Sequence, residues 1–158
     1  ATYRHNLDAP VSAVDLCGVT ADQLASLRAN TWLLSPPCQP YSRQGLQLGQ
    51  LDKRASALLH LIEVLQSCGP DVLPTYLLLE NVVGFESSGT RCQLHAALRS
   101  RGFAVCELWA SPAQFRVPNQ RTRYFLLARR GQDFPPPPPA IAPLLLCPAD
   151  LEATRALQ

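Results

Sequence analysis

Residues 31–40, TWLLSPPCQP, join a short apolar run to a loop rich in proline. The run TWLL is typical of a buried β-strand, because it is short, apolar and ended by residues that break regular structure. Three further runs have the same character: residues 75–79 (TYLLL), 103–109 (FAVCELW) and 123–129 (RYFLLAR). We therefore predict four strands.

Helical patterns separate these runs. Apolar residues at i, i+3, i+4 and i+7 predict one amphipathic helix over residues 55–68. Capping boxes at Thr20 and Thr90 predict the starts of two more helices, and Gly102 predicts the end of the later one. The alternation of strand and helix predicts an α/β fold with a mostly parallel sheet.

Composition limits the class of protein. The chain has 158 residues, of which 47% are apolar and 16% charged, so it can bury a core and is not wholly disordered. No apolar run is long enough to span a membrane. The net charge of +2 neither supports nor excludes a nucleic-acid partner. The sequence contains no methionine, which favours a piece of a longer protein.

Proline divides the chain into regions. We predict one domain over residues 1–130, a proline-rich linker over 131–143 (GQDFPPPPPAIAP) and a C-terminal stub over 144–158. The proline tract also suits the aromatic grooves of proline-recognising domains, which are a candidate partner.

The six cysteines lack metal-site spacing. They stand at positions 17, 38, 68, 92, 106 and 147, without a C-x-x-C pair and without histidines at zinc-finger spacing, so we expect no metal site. An even number leaves a disulfide framework open in principle. The apolar content and the absence of a signal peptide favour reduced thiols in a cytoplasmic protein, with the nucleus as the second expected compartment.

Reactive groups follow two of the predicted strands. Cys38 follows TWLL and Glu80 follows TYLLL, so a thiol and a carboxylate are expected at one edge of the sheet. Arg121 and Arg123 would share one face of the fourth strand. If that strand is antiparallel to the others, its start meets the same edge. Each residue alone also fits a plainer role: a buried apolar cysteine, a turn cap or a solvated arginine pair.

Three stretches resemble the cytosine-5 methyltransferase family, in the order and at the approximate spacing that the family has. They are SPPCQPYSRQG (35–45), LLLENVVGFESS (77–88) and SPAQFRVPNQRTRYFLLA (111–128). The surrounding residues resemble the branch that is similar to DNA methyltransferases but methylates the anticodon loop of aspartate tRNA.

This resemblance implies transfer of a methyl group from S-adenosylmethionine to C5 of cytosine in tRNA. Cys38 matches the nucleophile that forms a covalent bond to C6 of the base. Glu80 matches the residue that contacts N3, Arg123 the arginine that holds the cytosine, and Arg121 its companion. Two alternatives stay open: a DNA cytosine-5 methyltransferase, and a catalytically silent, truncated interaction protein.

The resemblance also implies the cofactor site and the missing parts of the fold. Asp15 and Leu16 fall where the family contacts adenine, and Pro36 falls near the methyl donor. The first strand and its glycine-rich turn would precede residue 1, and the target-recognition region would follow residue 130. A strand of the family sheet is expected just after residue 10. We therefore expect a partial Rossmann-like methyltransferase sheet, truncated at both ends.

Overall fold

The described part of the chain has four strands, as the apolar runs predict, and three α-helices that alternate with them except between the last two strands. The computed structural model describes residues 5–6, 11–39 and 55–135, so the predicted stub and most of the proline linker lie outside the described residues. The elements are α1 (Ala21–Leu27), β1 (Thr31–Leu34), α2 (Ser56–Ser67), β2 (Tyr76–Val82), α3 (Gly89–Ser100), β3 (Phe103–Ala110) and β4 (Arg123–Arg130).

The strands form one sheet in the order β1-β2-β4-β3. β1 and β2 are parallel, whereas β4 is antiparallel to both of its neighbours. The prediction of a mostly parallel sheet is therefore wrong for the described strands. Residues 111–122 connect β3 to β4 with a single short 3₁₀ turn and no α-helix, so the chain reverses direction there rather than crossing over the sheet.

The strand expected just after residue 10 is absent from the described part of the chain. Residues 11–15 have no regular structure, and a 3₁₀ turn follows at Leu16–Gly18. Most side chains here are exposed, Val14 among them. The short apolar stretch around Val14 thus buries too little surface to offset the cost of ordering a strand.

All three helices pack on one face of the sheet, which we term the inner face. α2 buries the predicted apolar stripe, and α3 buries Leu94, Ala97 and Leu98. These residues join one core with Leu77, Leu79, Leu126 and other buried strand residues, while α1 contributes Ala21 and Leu24 at its border. Alternation along the strands places every second side chain in this core.

One of the two predicted capping boxes is correct. Thr20 accepts the backbone N–H of Gln23 at 3.2 Å, and the Gln23 side chain accepts the N–H of Thr20 at 2.9 Å. The box predicted at Thr90 is wrong, because Thr90 is buried within the first turn of α3 and Ser88 caps that helix. Gly102 follows α3 at φ +78°, a conformation that glycine adopts without strain, so that prediction is confirmed.

The opposite, outer face of the sheet is much more exposed. Leu33 in β1 is 72% exposed, and Tyr76 in β2 is also exposed. None of the helices in the described residues packs there. In the same part of the chain, no helix is both long and apolar enough to cross a membrane.

Candidate active site

A cavity of about 530 Å³ opens where β1 and β2 end and β4 begins. Parallel strands bring their carboxyl ends to one edge, which is where α/β sheets collect their sites. The volume lies in the range of small-ligand pockets. Three segments line the cavity: residues 35–39, residues 80–82, and Arg121 with Arg123.

Cys38 lies in the loop that follows β1 and is half-buried. The two prolines before it restrict the backbone of this loop. Asn81 fastens the loop to β2, because its Nδ2 donates to the carbonyl oxygen of Pro36 at 3.3 Å. The thiol is therefore held at the cavity by an interaction between two strand ends.

Asn81 was missed as a site residue, since a lone asparagine after an apolar run indicates a turn. It is only 2% exposed, and its Oδ1 accepts the N–H of Val82 at 2.8 Å. The signal was present in the alternation of YLLLENV, in which Asn81 keeps the phase of Leu77 and Leu79. A polar residue at an inner-face position needs hydrogen-bond partners, and Asn81 has one in the Cys38 loop and one in the next residue of β2.

Glu80 lies within β2 rather than after it, so that part of the prediction is wrong. The strand continues because β4 pairs with it as far as Val82 opposite Arg123. Glu80 occupies the outer face and is diagonal to Arg123 across the two strands. Arg123 Nε lies 3.3 Å from Glu80 Oε1, so the two side chains form an ion pair at the cavity.

The two predicted arginines reach the cavity from different local structures. β4 begins at Arg123, so Arg121 stands in the preceding loop and is exposed. The idea that they share one face of a strand is wrong for this reason. β4 is antiparallel to β2, however, and this orientation brings both arginines to the edge that carries Cys38.

A buried network supports the start of β4. Glu107 in β3 is fully buried and forms an ion pair with Arg91 of α3, whose Nε donates to it at 2.7 Å. The hydroxyl of Tyr124, next to Arg123, also donates to Glu107. Burial, and then the Glu107 carboxylate, raise the pKa of the Tyr124 hydroxyl. The network therefore anchors the residue that follows Arg123.

The residues expected at the methyl donor are divided in space. Pro36 lines the cavity, whereas Asp15 and Leu16 do not. Asp15 Oδ1 accepts the N–H of Cys17 at 2.9 Å, which lowers the pKa of its carboxyl group. An exposed carboxylate beside the exposed, apolar Leu16 has the chemistry to hold the hydroxyls and ring of a nucleoside, so these residues fit an adenosine end.

Metal ligands are not clustered in the described residues. No three His, Cys, Asp or Glu side chains within residues 11–39 and 55–135 lie close enough to share an ion. The five cysteines in these ranges form no disulfide with one another.

A family model and several curated proteins match the chain. The model of the C-5 cytosine-specific DNA methylases matches residues 1–142. A DNA (cytosine-5)-methyltransferase of Dictyostelium discoideum is 39% identical over 132 residues. A tRNA (cytosine(38)-C(5))-methyltransferase of Bos taurus is 39% identical over 135 residues. These matches cover 82% and 84% of this chain, which spans about a third, 34%, of each relative.

Solved structures of methyltransferases are also similar to this chain. The Entamoeba histolytica methyltransferase EhMeth superposes with a TM-score of 0.75 at 31% identity, covering 82% of this chain and 41% of that one. The Dnmt2 methyltransferase of Schizosaccharomyces pombe superposes with a TM-score of 0.72 at 32% identity, covering 84% and 39%. The described sheet is thus part of a methyltransferase fold.

Proposed function

Because the chain belongs to the family of C-5 cytosine-specific DNA methylases, we propose that it forms the catalytic part of a tRNA cytosine-5 methyltransferase. The observation that carries this proposal is the single cavity lined by Cys38, Glu80 and Arg123. The substrate we propose is a cytosine in the anticodon loop of aspartate tRNA. A base in an RNA loop is easier to extrude than one in a duplex, which suits an open cavity at a sheet edge.

The reaction begins at the thiol of Cys38. The thiol gives its proton to the Glu80 carboxylate and its sulfur adds to C6 of cytosine. The electrons of the C5–C6 double bond move to a C4–C5 double bond as N3 takes that proton from Glu80. S-adenosylmethionine, when bound, would supply an electrophilic methyl group through cleavage of its S–CH3 bond and would leave as S-adenosylhomocysteine. C5 accepts the methyl group as N3 returns its proton to Glu80. Loss of the C5 proton to solvent then expels the Cys38 thiolate and restores the double bond.

Arginine charge supports both steps. The thiolate is the nucleophilic form of a cysteine, and a nearby cation stabilises negative charge on the sulfur and on the base. Arg121 and Arg123 bring two cations to the cavity that contains Cys38. The ion pair between Arg123 and Glu80 fixes the carboxyl group where it can contact the base, while Arg123 holds the cytosine.

Pro36, Asp15 and Leu16 would hold the methyl donor. We assign its methyl end to the region of Pro36 and its adenosine end to Asp15 and Leu16. The lining position of Pro36 and the exposed carboxylate of Asp15 support this assignment. We also propose a cytoplasmic location, with the nucleus as an alternative, which the lack of disulfides among the described cysteines supports.

The test is a covalent trap. With 5-fluorocytosine in the RNA loop, C5 carries no proton to lose, so the bond between Cys38 and C6 persists through a denaturing gel. We expect a trapped band with the protein, the methyl donor and the RNA. Cys38→Ala should abolish the band, and Cys92→Ala, at an exposed position on α3, should keep it. A band in Cys38→Ala contradicts the mechanism, and no band with any substrate favours a silent interaction protein.

A DNA substrate is the second candidate, and the name of the Dictyostelium relative supports it. The chemistry at Cys38 would be the same. Side-by-side trapping on an RNA hairpin and a DNA duplex, each with one 5-fluorocytosine, separates the two. A stronger band on the duplex would transfer the proposal to DNA.

A further inference from the structure

The loop between β3 and β4 leaves and rejoins the sheet beside the cavity. Ala110, the last residue of β3, pairs with Arg123, the first of β4. Residues 111–122 therefore begin and end at the edge that contains Cys38, and Arg121 of this loop lines the cavity. A ligand that contacts Arg121 in the cavity therefore lies close to this loop.

A short braced turn forms the first half of the loop. Pro112–Phe115 is one 3₁₀ turn, and the side chain of Gln114 accepts the N–H of Ser111 at 2.8 Å. Three further backbone hydrogen bonds close the segment: Arg116 N–H to Ala113 O at 3.2 Å, Val117 N–H to Pro112 O at 3.2 Å, and Asn119 N–H to Val117 O at 2.7 Å. The turn therefore has a defined backbone rather than an open one.

The last residue of this turn and the two residues after it are exposed, and they include an aromatic ring and a cation. Phe115 is 61% exposed and Val117 is 50% exposed, and Arg116 between them is also exposed. Arg116 has φ +61°, which is uncommon for a residue other than glycine. Strained backbone of this kind is concentrated at functional sites. The exposed ring and the exposed guanidinium are therefore neighbours on the loop that borders the Cys38 cavity.

We propose that Phe115 and Arg116 bind the nucleotide next to the target cytosine, in single-stranded RNA. Extruding one base removes a stacking partner from its neighbour, and the Phe115 ring replaces that partner. Aromatic rings stack on any base, and an adjacent guanidinium contacts the phosphate. The inference rests on the proposed function, because it requires a nucleic-acid substrate at the Cys38 cavity.

The experiment measures binding, not methylation. The probe is a short single-stranded oligoribonucleotide with one cytosine flanked by 2-aminopurine, whose fluorescence falls when it stacks. We expect Phe115→Ala to weaken binding about 5- to 150-fold and to restore the fluorescence, while Phe115→Trp retains both. Val117→Ala is the matched control, since it removes an exposed apolar side chain from the same turn.

Arg116→Gly tests the cation without disturbing the backbone, because glycine adopts positive φ freely. We expect weaker binding and a salt dependence reduced by about 0.7 in the log–log slope, the contribution of one phosphate contact to a single strand. Both variants should keep the circular dichroism spectrum of the parent.

Equal affinity of the parent and Phe115→Ala overturns the inference, as does the absence of binding by the parent. An equal loss in Val117→Ala also overturns it, since it indicates a general apolar surface for a protein partner. The proposed function is judged separately by trapping at Cys38. An adduct that forms equally well in Phe115→Ala leaves that function standing while the stacking surface fails.

Discussion

Glu80 and Asn81 are adjacent in β2 and project to opposite faces of the sheet. Glu80 reaches the outer face and pairs with Arg123, whereas Asn81 turns inward and binds the Cys38 loop. Glu80 is thus a candidate for the chemistry, and Asn81 holds the Cys38 loop in place. Their effects on stability and on methyl transfer should differ accordingly.

Glu80→Gln should separate chemistry from stability. The ion pair with Arg123 is partly exposed, so its loss should cost less than ~1 kcal/mol of unfolding free energy. Methyl transfer should fall about 10²- to 10⁴-fold, because the amide cannot pass a proton to N3. Denaturant unfolding and single-turnover transfer measure the two quantities. A variant that transfers methyl groups at the parent rate would remove Glu80 from the mechanism.

Asn81→Ala should loosen the Cys38 loop. The change removes the hydrogen bond to Pro36 and the one from Val82, which together contribute about 1–3 kcal/mol. We expect slower trapping of 5-fluorocytosine at saturating RNA with little change in RNA affinity. Asn81→Asp keeps the acceptor for Val82 but loses the donor to Pro36, so it should show the same trapping defect if the loop contact matters.

The sequence predicts the chemical residues of this site better than the residues that hold them. Cys38, Glu80 and Arg123 lie next to apolar runs. Their reactive side chains make them candidates within the stretches that resemble the cytosine-5 methyltransferase family. Glu107 has no such signal, because its importance depends on which strand and helix lie alongside, and Asn81 is indicated only by its phase in the alternation of β2. That pairing is non-local, and a single sequence does not report it.

At the scale of elements, the Arg91–Glu107–Tyr124 network joins α3, β3 and β4. It lies within the core, where the attraction between charges is strong and the cost of desolvation is high. Its members depend on one another, so single and double substitutions should not add.

Glu107→Gln should destabilise the fold by about 3–5 kcal/mol, because Arg91 is left as a buried charge without a carboxylate. The double change Arg91→Met with Glu107→Leu removes both charges and should cost less than Glu107→Gln alone. Urea unfolding of the parent, Arg91→Met, Glu107→Leu and the double variant gives the coupling energy. Additive losses would show that the two side chains act independently.

Tyr124 should make the fold sensitive to alkaline pH. Its pKa is raised in the folded state, so above pH ~10 the unfolded chain releases this proton while the folded chain retains it. Its contribution to stability is present below that pH and declines as the pH rises. Absorbance at 295 nm should therefore show one phenolate that appears only with unfolding. In Tyr124→Phe, the phenolate absorbance that appears only with unfolding should be lost. If that absorbance persists, it belongs to another tyrosine.

At the scale of the whole molecule, the two faces of the sheet are unequal. The inner face is covered by helices, and the outer face exposes Leu33 on β1, whose one neighbour in the described residues is β2. An exposed apolar strand edge is a template for pairing with other chains. Self-association should therefore begin at β1.

Leu33→Lys tests this asymmetry. We expect the unfolding free energy to change by less than about 0.5 kcal/mol, since the side chain is already in solvent, and light scattering of concentrated protein to fall. Leu77→Lys, at a buried position of the neighbouring strand, should instead unfold the protein. Unchanged light scattering in Leu33→Lys would show that self-association occurs through another surface.

The strands themselves were predictable, because short apolar runs between breakers define them locally. Their order and direction were not. The connection over residues 111–122 looks like any polar loop, and only pairing shows that it reverses the chain. The strand expected after residue 10 was wrong for another reason. A resemblance to a family does not guarantee that a segment buries enough apolar surface to be ordered as a strand.

The position of β4 has a consequence for protein synthesis. It is the last described strand to leave the ribosome, yet it lies between β2 and β3. Until Arg130 has emerged, those two strands have no shared neighbour, and Tyr124 is not yet available to Glu107. A nascent chain stopped before residue 123 lacks the middle of its sheet rather than its border. We expect such a chain to be a chaperone client and not a slightly weaker version of the same domain.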